Sequence, residues 1–226
     1  MELMAVVIAV SGALVGWVLA QFTAMAKDYL YRKRLRKLLI MELEELHDDI
    51  KGTIDAYTRQ LHIYGQGGVS NEGPASISSF IFKNYYKDAV LGLSKSERKS
   101  FKIIHAALEA VNEDIDAYLQ ETRKIQEMLS IEGVESLSKE RFDYWGGLIK
   151  TGYRGCGSLV WSISHHLDNL KNPEVVPMSD AHAEYLKHLD LVDHKMFHEI
   201  EAGKTIDREF FKKNYSHEDF ERIRGK

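Results

Sequence analysis

One cysteine, Cys156, occurs in the 226 residues, so no intrachain disulfide can form. A lone thiol fits a reducing compartment. The three prolines, Pro74, Pro173 and Pro177, leave long stretches in which nothing breaks a helix. Alternating runs of Val, Ile and Thr are missing, which argues against a sheet as the organising element. A formal charge of −4 argues against a dedicated nucleic-acid binder. No charge of either sign occurs in residues 4–26. The chain reads as all-α, with an N-terminal transmembrane helix continuing into a cytoplasmic helical bundle.

About 20 apolar residues span a bilayer as a helix, so residues 4–26 are long enough. A secretory signal needs a basic start, whereas the charge preceding this run is Glu2. Ala24, Met25 and Ala26 have the small-x-small form of a cleavage site, but the next residues argue against export. Lys27, Arg32, Lys33, Arg34, Arg36 and Lys37 face a single nearby acid, Asp28. Positive flanks stay in the cytoplasm. The segment is therefore expected to be an uncleaved anchor in the inner (plasma) membrane. Its N-terminus would lie outside and the C-terminal domain in the cytoplasm.

Small residues recur along this segment at Ala5, Ala9, Gly12, Gly16, Ala20 and Thr23. Their three- and four-residue steps average the 3.6-residue repeat of an α-helix. Gly12 and Gly16 form a GxxxG pair, while Val7, Leu14, Trp17, Val18 and Phe22 occupy the other faces. A small-residue stripe lets helix backbones approach closely, so this one is expected to be an oligomer seam between copies. Gln21, beside it, would seek a partner in lipid.

Leu35, Leu39, Leu43, Leu46, Ile50, Ile54, Tyr57, Leu61 and Tyr64 carry the helical period onward, predicting one helix, or two stacked halves, over about 3–63. The stretch YGQGGVSNEGPAS reads as a flexible loop. A short helix over about 78–91 follows. Ser94 and Glu97 then form a capping box before a helix with Phe101, Ile104, Leu108, Val111, Ile115, Tyr118, Ile125 and Leu129. Ser138 opens the next helix, to about 170. Its glycine-rich middle carries Gly147, Thr151, Gly155, Ser158 and Ser162 on one stripe, which predicts tight packing. An irregular hinge, or an interfacial segment over 144–161 with Tyr144, Trp145 and Trp161 at the headgroups, is the alternative. Residues 179–202 read as a polar amphipathic helix. Beyond it lie Phe210, Phe211, Tyr215 and Phe220, with Ser216 and Asp219 capping a last short helix. The organisation is an anchor over 1–26, a cytoplasmic bundle over 27–170 and a C-terminal helical appendage over 179–226.

Chemistry-bearing residues are sparse. Arg98 and His105 have the R-x6-H spacing of HEPN ribonucleases, in which a cation holds the phosphate and an imidazole moves a proton. A chain with this many arginines and histidines yields about 1.5 such spacings by chance, so no catalytic residue is assigned. His194 and His198 share a helix face with Asp190 and Glu201, but Lys195 stands where a zinc-protease glutamate would be. No metal and no cofactor are expected. Cys156, between two glycines, reads as a core residue. The chain is not expected to be an enzyme.

The basic stop YRKRLRK and the helical stretches KLLIMELEELHDDI and LSKSERKSFKIIHAALEAVNEDIDAYL give this layout its character. It resembles bacterial single-pass helical membrane proteins of phage defence, and more narrowly the membrane-pore accessory proteins of type VI CRISPR systems. The resemblance covers about residues 1–130 and rests on architecture. It implies one span per subunit, a divergent HEPN-like bundle and assembly as a ring. The expected function is an oligomeric pore or membrane-perturbing effector, with membrane lipid and further copies of the chain as partners. One alternative is a membrane-tethered HEPN-type ribonuclease. The other is a scaffold anchoring a cytoplasmic protein partner.

Overall fold

A computed structural model describes residues 2–133, 136–207 and 221–222, with side chains over 11–133 and 136–207. The fold is all-α. Its helices are α1 (Glu2–Gly65), α2 (Phe80–Ala89), α3 (Lys95–Glu132), α4 (Lys139–Asp168) and α5 (Asp180–Thr205). A 3-10 turn, Val90–Gly92, follows α2. Gly68–Val69 pairs antiparallel with Glu221–Arg222 in a two-residue ladder. Among the described residues, no helix is long and apolar enough to cross a membrane. The uncharged run begins in residues whose side chains lie outside the described set. Its described part, 11–26, is shorter than the about 20 residues a span needs.

Contacts divide the chain into two units, Met1–Glu42 with Phe80–Lys95, and Leu43–Ser79 with Ser96–Lys226. In the second unit the predicted apolar period becomes the core. Leu43, Leu46, Ile50, Tyr57 and Leu61 of α1 are buried, as are Phe101, Ile104, Ile115 and Tyr118 of α3 and Trp145, Ile149 and Ile163 of α4. Ring contacts join the helices: Tyr57 meets Tyr118 edge-on at 6.0 Å, and Tyr118 lies 5.9 Å from Trp145. Such pairs add roughly 0.5–1.5 kcal/mol beyond the area they bury.

Ser138 caps α4, as its sequence position predicts, by accepting the Arg141 amide at 3.2 Å. Ser179 caps α5 in the same way through His182, also at 3.2 Å. The loop predicted to be flexible is held instead. Asn112 of α3 accepts the Ile77 amide at 2.8 Å and donates to its carbonyl at 2.9 Å. Tyr118 donates to the Glu72 carbonyl at 2.9 Å.

The glycine-rich part of α4 is not a hinge, because the helix runs through it unbroken. Trp145 is buried and donates to Thr122 Oγ1 at 2.9 Å. Tight packing does occur, but not along the predicted stripe. Gly146 lies under the Tyr64 ring, Gly152 under the Tyr57 phenol and Gly157 against Val192. On the predicted stripe, Thr151 is exposed and Gly147 has open space where a side chain would begin. Gly155 is the exception on that stripe, since an added methyl would lie 3.3 Å from Val111 Cγ2, closer than an ordinary contact. Large rings from α1 select the glycines they sit on.

α5 packs on α4 through Arg154 and Asp193 (2.9 Å) and through Ser158 and Tyr185 (2.7 Å). His62 near the end of α1 meets Glu199 of α5 at 2.7 Å. Residues 180–205 of the C-terminal appendage thus pack within the second unit. The aromatic residues Phe210, Phe211, Tyr215 and Phe220, with Ser216 and Asp219, lie outside the described residues.

Two alanine substitutions in α4 separate these environments. Gly147→Ala is expected to stabilise by about 0.5–1 kcal/mol, since it removes a helix-interior glycine into open space. Gly152→Ala is expected to destabilise by about 1–3 kcal/mol, because the methyl overlaps the buried Tyr57 ring. Thermal unfolding of the purified full chain measures both; shifts of the same sign would contradict this packing.

Candidate membrane-facing site

The first unit begins with a helix that its own chain leaves bare. From Ser11 to Tyr31 every residue of α1 is exposed except the half-buried Val18. Trp17 is 63% exposed, Phe22 66% and Met25 68%. The apolar side chains surround the helix instead of forming a stripe. A helix apolar all round is stable when something apolar surrounds it. Its one described back-bonded hydroxyl is satisfied within the helix, since Thr23 donates to the Leu19 carbonyl at 2.8 Å.

Of the predicted seam, Ala5 and Ala9 have side chains outside the described residues. Gly12, Gly16, Ala20 and Thr23 lie on the exposed helix. Neither Gly12 nor Gly16 has an atom of the chain within 4 Å of where a side chain would begin. That surface is open to another backbone.

The predicted basic residues follow directly. Lys27, Lys33, Arg34 and Lys37 are exposed, and Arg32 and Arg36 are half-buried. Leu35, Leu39 and Glu42, at helical spacing, are buried on one face, and the cations occupy the rest of the circumference. Arg32 is paired: its Nη2 lies 2.6 Å from the Asp28 carboxylate.

Three features of this unit carry no signal in the sequence reading. Glu42 sits on the apolar face of α1 where a leucine would fit the period. It is buried and accepts the amides of Ile81 at 2.5 Å and Phe82 at 2.8 Å. A carboxylate on the first amides of α2 satisfies donors that have no partner inside the helix and complements its dipole. A charge within an apolar period was the available clue. Gly92 brings the 3-10 turn against α1, where an added methyl would lie 3.0 Å from the Arg32 side chain. Leu91, before it, is 70% exposed.

The chemistry candidates lie elsewhere. His105 is 4% exposed, with Phe101 stacked beside it and Phe101 in turn against His166. Arg98 lies two turns earlier on α3, in its first turn, and is half-buried. His194 and His198 are exposed on α5, and His198 approaches its neighbour Glu199 at 3.9 Å. Asp190 and Glu201 of that predicted group are also exposed. Among the described residues, no group of three or more His, Cys, Asp or Glu side chains could hold a metal ion. A shallow groove of about 270 Å³ between α3, α4 and α5 is lined chiefly by Ile103, Trp161, Pro173 and Tyr185.

No family model, curated protein or solved structure matches the chain.

Cys156 is buried in α4, and burial, then the Asp114 carboxylate, push its thiol up to about 12. The thiolate is the reactive form, and it is scarce at neutral pH. The folded protein is therefore expected to resist an aromatic disulfide reagent at pH 8 and to react fully once denatured. Rapid labelling of the folded protein would contradict a core role for this residue.

Proposed function

We propose that this chain is a single-pass protein of the inner (plasma) membrane. Residues 4–26 cross the bilayer, the N-terminus is outside, and the helical units are cytoplasmic. Copies associate through Ala5, Ala9, Gly12, Gly16, Ala20 and Thr23 into an oligomeric pore or membrane-perturbing assembly, with antiphage defence as its setting. One observation carries this reading: α1 is bare and apolar on all faces over 11–26, and cations on most of its circumference follow at once. Lipid tails satisfy the bare faces, and the cations suit the cytoplasmic headgroups. The open surface at Gly12 and Gly16 supports association, since small residues let a second helix approach.

A scaffold that anchors a protein partner is the second reading. Leu186, Leu191 and Phe197 on α5 favour it, as large apolar side chains left exposed in the second unit. The ribonuclease reading draws no support from the buried His105.

Gly12→Ile and Gly16→Ile test the seam. Branched side chains there hold the backbones apart, which is expected to cost on the order of 1–2 kcal/mol per interface. Val18→Ile, on the opposite side of the helix, is the control. Particle mass in mild detergent and membrane potential in cells are the readouts. The glycine variants should shift toward monomer and lose any depolarisation, while the valine variant keeps both. Unchanged assembly in both glycine variants would leave a plain anchor and favour the scaffold.

A further inference from the structure

We propose that the groove between α3, α4 and α5 binds a small, uncharged aromatic molecule through a single carbonyl acceptor. The groove lies within the second unit, has a volume of about 270 Å³ and does not depend on the membrane reading. Ile103 of α3, Trp161 of α4 and Tyr185 of α5 line it, with Pro173 and Val175 of the connection between α4 and α5. A dry cavity of about 150 Å³ holds one benzene ring, so this groove has room for two rings.

The lining disfavours a charged ligand. Among the described residues that form it there is no Asp, Glu, Lys or Arg. An ion taken from water without a countercharge is costly, so a carboxylate, a phosphate or an ammonium gains nothing here. An aromatic ring does gain. Trp161 and Tyr185 lie 5.1 Å apart, tilted by 53°, and a planar ligand can meet one by its face and the other by its edge. His165 stacks on Trp161 at 4.9 Å and holds that ring in place.

The polar groups decide what the rings must carry. Ser100 bonds His166 Nδ1 at 2.8 Å, Ser162 donates to the Ser158 carbonyl at 3.0 Å, and Ser158 and Tyr185 bond each other at 2.7 Å. His182 differs. Its Nδ1 accepts the Met178 amide at 3.3 Å, which puts the ring proton on Nε2. Nε2 has no partner among the described residues, so it offers one donor to a ligand's acceptor. The same bond to Met178 holds a left-handed backbone, φ 66°, that few residues with a side chain adopt. Earlier in the connection, the Glu174 amide donates to Ser96 Oγ at 2.9 Å and the Glu174 carboxylate pairs with Lys99. Tied at both places, the segment carrying Pro173 and Val175 needs no ligand to shape the groove.

The test uses purified full-length protein and benzophenone, an uncharged two-ring ketone that inserts into nearby C–H bonds on irradiation. Labelled peptides are mapped by mass spectrometry. Label is expected around Ile103 and on residues 173–178. Competing 2-acetylnaphthalene should suppress it about tenfold more effectively than 2-isopropylnaphthalene, which lacks the acceptor, or 2-naphthoate, which adds a charge. His182→Asn keeps an acceptor for the Met178 amide but withdraws the Nε2 donor, and should erase the preference for the ketone over the hydrocarbon. Ile103→Trp, at an exposed position, should abolish the label by filling the groove. Label spread over exposed apolar side chains of the whole chain, or kept in Ile103→Trp, would mean non-specific adsorption and overturn the site. Equal suppression by the naphthoate or the hydrocarbon would overturn the ligand class, as would a preference that survives His182→Asn. No label in the groove, as when a second copy of the chain covers it, would overturn the proposal as well.

Discussion

Between residues 11 and 26 the side chains of α1 are exposed on every face, apart from the half-buried Val18. Apolar surface left in water is disfavoured by about 25 cal/mol for each Å². A tryptophan, a phenylalanine, a methionine and several aliphatic residues are bare here at once. The helix backbone hydrogen-bonds within itself, and Thr23 returns its hydroxyl to the helix. Such a segment has little need of water and much to gain from leaving it. Under the proposed membrane reading, the basic residues that follow stand where the cytoplasmic headgroups would be.

The second unit solves a different problem, that of joining long helices closely. Its solution pairs large rings with missing side chains. Tyr64 covers Gly146, Tyr57 covers Gly152, and Val192 packs against Gly157. Gly65 and Gly203 instead let backbone approach backbone where the end of α1 crosses the end of α5. Each glycine lowers helix propensity by roughly 0.8–1 kcal/mol relative to alanine. Packing of buried aromatic surface offsets that cost. Polar links between its helices include Trp145 to Thr122, Ser158 to Tyr185 and His62 to Glu199.

Local signals in the sequence translated well into structure. The period of Leu35, Leu39, Leu43, Leu46 and Ile50 foretold one helix or two stacked halves, and the single helix forms, since no residue in it resists helical geometry. Ser138 foretold its own cap, because a cap is settled within three residues. What spacing could not decide was which glycine meets which ring. Gly146 and Gly147 are neighbours in sequence, yet one lies under Tyr64 and the other is open, and the choice is made by a side chain on another helix. Glu42 was legible only as a charge within an apolar period, for the same reason. Its partners, the amides of Ile81 and Phe82, are about forty residues away and leave no trace in local pattern. In the candidate site, the apolar run and its cations were readable as composition. The approach of Gly92 to Arg32 was not, because the turn reaches α1 only through the fold.

The central claim is that residues 4–26 cross a bilayer with the units after them on the cytoplasmic side. Fusing a reporter after Lys226 tests it most directly, with a fluorescent protein that matures in the cytoplasm and, in parallel, an alkaline phosphatase that is active only outside it. A carbonate-resistant membrane fraction that fluoresces while the phosphatase fusion stays inactive is the result expected. An active phosphatase fusion, or release of the fluorescent fusion into the soluble fraction, would contradict the account.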